Sequence, residues 1–189
     1  MSSFTRQAIM DSFLRLLERK PFPKITVRDI VEECGVNRTT FYYYYQDIYA
    51  IVEDLVASAL APYAAALHGE VCPSDLRDAR DFATIHRKAL LGLYTSLGHE
   101  ATRRYVFAVI DDPLRAFMEK SAEGLDIAEP RLLSAFLLLR ETLFGALCLF
   151  LRGELPADGG FPLAVTGGTV RRFLERLATN ETEGGKPHG

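Results

Sequence analysis

Between Ile25 and Val52 the chain reads ITVRDIVEECGVNRTTFYYYYQDIYAIV, and this stretch leaves little freedom of fold. Thr26 suits the N-cap of a helix, with Asp29 three residues on to complete a capping box. Val27, Ile30, Val31 and Cys34 recur at helical spacing and make one buried face. Gly35 falls just past the last turn, where a left-handed residue closes a helix. Asn37 can cap a second helix almost at once. Val36 and Phe41 stand where a hydrophobic staple would fix the angle at which the chain enters that helix. Two short helices joined by a tight glycine turn form the helix-turn-helix pattern.

The outward face of the second short helix follows from spacing. Phe41 and Tyr45 lie four apart and turn inward with the staple, which leaves Arg38, Thr39, Tyr42 and Tyr43 outward. Such a face offers hydroxyls for phosphate, a guanidinium for guanine or phosphate, and rings for thymine methyl groups. Arg28, near the start of the first short helix, can reach the edge of a DNA groove. Taken out of this setting, a tyrosine run packs in a core and a lone arginine is a solvated charge. The pattern around them reverses that reading for Tyr42, Tyr43 and Arg28, while Tyr45 stays a core residue.

The rest of the chain reads as helix, with no sustained period-two alternation. A first helix over about Thr5–Lys20 carries Ile9, Phe13, Leu16 and Leu17 on one face and stops at Pro21 and Pro23. A fourth begins near Asp47 and runs to Pro62 or His68. After a loop at Gly69–Asp75, further helices are expected at Leu76–Leu97, Glu100–Ala122, Pro130–Arg152 and Phe161–Ala178, with a turn at Gly153–Gly160. The expected architecture is all-α. A three-helix helix-turn-helix domain occupies residues 1–48. A helical regulatory and dimerisation domain occupies 49–179, and a polar, disordered tail occupies 180–189.

Residues 5–52 resemble the DNA-binding domain of the TetR family. The resemblance rests on TRQAI at 5–9, ITVRDIVEECGV at 25–36 and RTTFYYYYQDIYAIV at 38–52. The family signature in the third helix is Thr or Ser, an aliphatic or aromatic residue, then Tyr-aromatic-His-Phe and shortly a Lys. This chain has Tyr44 at the place of the His and Ile48 at that of the Lys. The wording ERKPF, KITVRDI and QDIY is similar to the branch that includes dihydroxyacetone-kinase regulators. The resemblance implies a ligand-responsive transcription regulator, a repressor in most members and an activator in one type of that branch. It would bind pseudo-palindromic, double-stranded operator DNA as a homodimer through its last two helices. Face and resemblance together give a DNA-binding set of Thr5, Arg6, Thr26, Arg28, Asn37, Arg38, Thr39, Thr40, Tyr42 and Tyr43. Thr40 and Tyr42 would act on phosphate, Arg28 and Tyr43 on bases.

A small-molecule effector is expected between the helices from about Leu76 to Leu151. The candidate lining is Tyr94, Phe107, Phe117 and Phe144, with Arg140 as the anchor for an acidic group; a helical core uses the same aromatics. Arg140 and Glu141 interrupt the apolar run Leu132–Leu151. An ion pair in the core or dimer interface is the plain reading, and charge there speaks against a membrane span. In the last helix Val165, Val170, Phe173, Leu174 and Leu177 give the inward stripe, and Arg171, Arg172 and Arg176 stay wet.

Net charge is −3, so any affinity for nucleic acid must come from a local surface. Residues 1–50 hold seven Lys and Arg against six Asp and Glu, a weak asymmetry in that direction. Cys34, Cys72 and Cys148 lack metal-ligand spacing and read as free thiols in a reducing, cytoplasmic setting. His86 and His99 read as ordinary, partly buried histidines. No glycine-rich phosphate loop, paired-histidine metalloprotease motif or nucleophile elbow is present, so neither an enzyme, a cofactor, a metal nor a catalytic residue is expected.

Overall fold

The computed structural model describes residues 2–68, 73–155 and 167–183, and all the regular structure among them is helical. Helix α1 spans Ser2–Arg19, and a single 3-10 turn follows at Phe22–Lys24. Helices α2 (Val27–Cys34), α3 (Arg38–Tyr44) and α4 (Ile48–His68) come next. They are followed by α5 (Pro73–Ile85), α6 (Arg87–Leu97), α7 (His99–Ala122), α8 (Glu129–Arg152) and α9 (Gly167–Glu183).

Two compact units are present. The first holds residues 2–62 and 73–109, and the second 63–68, 110–155 and 167–183. In the first unit Ile9, Phe13 and Leu14 of α1 meet Ile30 and Val31 of α2 and Phe41 of α3. The same core takes Ile51, Val52 and Leu55 of α4 and Ala89 and Leu93 of α6. The helix-turn-helix therefore does not close its core with its own three helices. Its apolar faces are completed by residues beyond position 48. In the second unit Leu114, Phe117 and Met118 of α7 pack with Ala135 and Phe136 of α8 and Val170 and Leu174 of α9.

Several expected elements differ. The helix expected over Leu76–Leu97 is two helices, and it starts earlier, at Pro73, in the span read as a loop. Proline is well placed in a first turn, where its missing N–H has no helical partner to lose. The division falls at His86, whose ψ of 11° departs from the helical value. His86 N still donates to Phe82 O at 3.0 Å and Leu90 N to His86 O at 3.0 Å, so the chain turns without losing its bonds. No glycine or proline marks such a break.

Helix α9 continues to Glu183, into the span expected as a disordered tail; the first helix breaker beyond Val170 is Gly184. Residues 184–189, the start of the expected Phe161–Ala178 helix and Val165 lie outside the described residues, as does Cys72. On α9, Val170 and Leu174 are buried and Leu177 partly so, but Phe173 is 45% exposed and is not part of the inward stripe. It stands about 60° around the helix from Val170, at the stripe's edge. His99 is exposed rather than partly buried, while His86 is half-buried with its ring 4.7 Å from that of Phe82.

By length and composition alone, Ile48–Leu67 and Glu129–Arg152 could each cross a membrane. Both carry internal charge: Glu53 and Asp54 in α4, Arg140 and Glu141 in α8. Arg140 donates to Asp111 at 3.2 Å and to Glu141 at 3.4 Å, and its guanidinium lies 5.6 Å from the Phe136 ring centre.

Candidate nucleic-acid interface

The local geometry of α2 and α3 is built by their caps. Thr26 Oγ1 accepts the Asp29 backbone N–H at 3.2 Å, and the Asp29 carboxylate accepts the Thr26 backbone N–H at 2.7 Å. At the other end Gly35 has φ 74° and ψ 17°, and its N–H bonds Val31 O at 3.0 Å. A side chain there would meet no atom within 4 Å, so the demand for glycine is one of backbone conformation alone. Asn37 Oδ1 accepts the Thr40 backbone N–H at 2.7 Å and starts α3. Tyr45 ends that helix in an extended conformation.

Phe41 is fully buried and Tyr45 nearly so. Arg38 and Thr39 are exposed, and so are Tyr42 (55%) and Tyr43 (79%). Two large rings on a solvent face carry a hydrophobic penalty that the isolated chain does not recover. Tyr44, half-buried, meets Tyr43 edge-on at 4.9 Å and packs on the core, while Thr40 is half-buried. On α2, Arg28 is exposed and its Nε donates to Glu32 at 2.6 Å. That carboxylate holds the guanidinium still more firmly charged.

Other members of the expected DNA-binding set sit differently. Thr26 and Asn37 are caps, and the Thr26 hydroxyl also donates to Asp29 Oδ2 at 2.7 Å, so both its roles are filled within the chain. Thr5 is half-buried on α1. Arg6 is tied to α4: its guanidinium grips the Asp54 carboxylate, which also accepts the Tyr45 hydroxyl. Pairing with Asp54 raises the Arg6 pKa, and burial, ahead of Asp54, pushes the Tyr45 phenol well above its usual range.

Sequence reasoning missed this Arg6–Asp54–Tyr45 network, which joins residues up to 48 positions apart. It also missed two braces on α2. Lys20 pairs with Asp29 at 2.7 Å, and Glu33 pairs with Arg19 at 2.5 Å and Arg15 at 3.1 Å. Lys20 and the Thr26 cap hold the Asp29 carboxyl at about 2, and Arg19 and then Arg15 lower that of Glu33. The only signal in the sequence was the run of basic residues ending α1.

The residues named for an effector divide between the units. Tyr94 and Phe107 lie in the first, and Phe117, Arg140 and Phe144 in the second. Phe107, Phe117 and Phe144 are buried; Tyr94 and Arg140 are half-buried.

No curated protein matches the chain. Residues 9–55, about a quarter of the chain, match the model of the bacterial regulatory proteins of the tetR family, so the stretch that holds the capped helix pair is similar to part of those proteins.

Proposed function

We propose that the protein is a cytoplasmic, ligand-responsive repressor that binds a pseudo-palindromic operator as a homodimer. The observation that carries this reading is the solvent face of α3. Arg38, Thr39, Tyr42 and Tyr43 stand exposed together on a helix fixed at both ends, next to exposed Arg28 on α2. This mix of guanidinium, hydroxyl and ring suits a major groove, where such groups meet phosphates, base edges and methyl groups. Arg28 and Tyr43 act on bases, Thr40 and Tyr42 on phosphate. Arg38 and Thr39 add backbone contacts, and Thr5, Arg6, Thr26 and Asn37 stand at the margins, where Thr26 and Asn37 hold the helix starts and Arg6 is engaged by Asp54.

Dimerisation is supported by the second unit. Leu133, Leu137, Leu138 and Leu149 of α8 and Phe173 of α9 are exposed large apolar side chains. A second copy related by two-fold symmetry would cover them with the same residues. The wording ERKPF, KITVRDI and QDIY supports a place near the dihydroxyacetone-kinase regulators. Ligand response is supported by the resemblance to the tetR family and by the aromatic side chains of the second unit, Phe117, Phe136 and Phe144, with Arg140 of the same unit as the polar anchor.

The test is retention of fragments from sheared genomic DNA of the source organism, followed by sequencing. A two-fold symmetric motif with half-sites about 34–36 Å apart, or a multiple of that, is expected. Affinity should fall steeply with salt. Retention that ignores ionic strength, or fragments with no shared motif, would refute the reading.

A further inference from the structure

The first unit holds a cleft of about 610 Å³, lined by α1, α4 and α5, that no DNA-facing side chain of α2 or α3 enters. Its volume lies within the range of small-molecule sites. Met10, Leu55 and Ala79 form buried parts of its wall, and Ala59, Pro62 and the half-buried Phe82 extend the apolar surface. An occupant therefore needs an apolar body.

The charged groups decide its sign. Arg6 lines the cleft, but its guanidinium is already closed on Asp54. Asp54 further accepts the Tyr45 hydroxyl and, at 3.4 Å, that of Ser58. Asp78 also lines the cleft and forms no ion pair among the described residues. The lining thus carries one cation, matched, and two carboxylates, of which one is unmatched. An incoming anion would find Arg6 occupied and would face Asp78. An incoming cation would complete the balance, with Ser58 to accept one of its hydrogens.

We propose that this cleft binds an organic monocation: an ammonium group anchored by Asp78, carried on a compact apolar body that lies against Leu55 and Phe82. The site concerns binding within one chain and stands whether or not the protein binds DNA. Occupancy stabilises the folded state, because the unfolded chain has no such cleft.

Isothermal titration calorimetry of the full chain tests the proposal, with phenethylamine as the probe and phenylacetate and 2-phenylethanol as matched anionic and neutral probes. The amine is expected to saturate one site per chain and to bind roughly tenfold or more tightly than either analogue. Asp78→Asn, at an exposed position, is expected to weaken the amine by a similar factor with little change in thermal stability. Ala59→Phe fills the cleft and is expected to abolish amine binding. Absence of saturable amine binding overturns the proposal. An anion or alcohol that binds as well as the amine overturns the cationic class. Amine binding unchanged in Asp78→Asn overturns the anchor, and that variant decides the matter alone where Ala59→Phe does not fold. No DNA is present in the titration, so its outcome is separate from that of operator binding.

Discussion

Tyr45 donates its phenolic hydrogen to Asp54, and the same carboxylate holds Arg6 of α1. The end of α3, the body of α4 and the start of α1 are thereby fastened at one point. The Asp54 side chain is only 11% exposed, so its charge depends on these donors. The exposed face of α3 is oriented through this point as well as through the apolar core.

Loss of the fastening should be measurable as stability. Asp54→Asn removes the charge that Arg6 and Tyr45 share and should lower unfolding free energy by about 1–3 kcal/mol; Tyr45→Phe should lower it by about 0.5–1.5 kcal/mol. Urea unfolding of the two single variants and the double variant checks this. The double variant should lose less than the sum of the two, because both changes break one network. Additive losses would show that the contacts are independent.

Acid should act on Asp29. Its carboxyl is held at about 2, chiefly by Lys20 and then by the Thr26 cap, against an ordinary value of 3.8. A depressed carboxyl contributes stability above its unfolded value. That stability is lost as pH falls from about 4 through about 2, where folded and unfolded forms both become protonated. Asp29→Asn should remove this part of the acid sensitivity and lower stability at neutral pH. Parallel pH–stability curves for the two proteins below pH 4 would contradict the assignment.

The helix-turn-helix was legible because its boundaries are written locally. Thr26 and Asp29, Gly35, and Asn37 each act within one turn of their own position, and their residue types suffice to state the geometry. Burial of Phe41 and exposure of Tyr42 and Tyr43 follow from the same register. Long-range pairs carry no such mark. Nothing around Arg6 singles out Asp54 as its partner, and nothing around Glu33 singles out Arg15 and Arg19. The break at His86 was hidden because one residue's ψ makes it, while the apolar spacing continues on both sides. Phe173 was misread because a residue at the edge of a helical stripe can turn either way, and tertiary packing decides.

Division of labour on the proposed DNA face can be separated by type of loss. Arg28→Ala should cost on the order of 1–3 kcal/mol of operator binding and relax preference at one position per half-site. Tyr42→Phe should weaken all sequences about equally, with an unchanged salt slope, because the hydroxyl carries no charge. Selection from a random duplex pool reads both. Unchanged base preference in Arg28→Ala would reject a base contact. Glu32→Gln, which frees Arg28 from its carboxylate, should tighten binding.

The apolar face of the second unit should behave as an interface. Leu138 is 64% exposed, so Leu138→Glu is tolerable in a monomer but places a charge in a dimer contact. Analytical ultracentrifugation should show monomers that keep their helical signal. Leu174, fully buried in the core beneath, should instead lose about 2–5 kcal/mol of stability on change to Ala. Undiminished dimers from Leu138→Glu would move the interface elsewhere.

Ile48 opens α4 and is half-buried against the core of the first unit, at the place where the resembling family carries a lysine. Two effects oppose each other in Ile48→Lys. Removal of the isobutyl-sized apolar group from partial cover loses about 0.5–1.5 kcal/mol of stability, the lower part of the range for buried aliphatic truncation. The lysine stem can retain part of that cover while its ammonium reaches solvent. At the DNA surface the gain is one added cation. Each phosphate neutralised steepens the dependence of log affinity on log salt by about 0.9, so the variant should bind operator and random duplex more tightly at low salt, with a slope greater by about one. Stability and slope are separate readings, by urea unfolding and by salt titration of binding. Steeper salt dependence with slightly lower stability is the expected pair. An unchanged slope would place the start of α4 away from the phosphates and would leave Ile48 a core residue only.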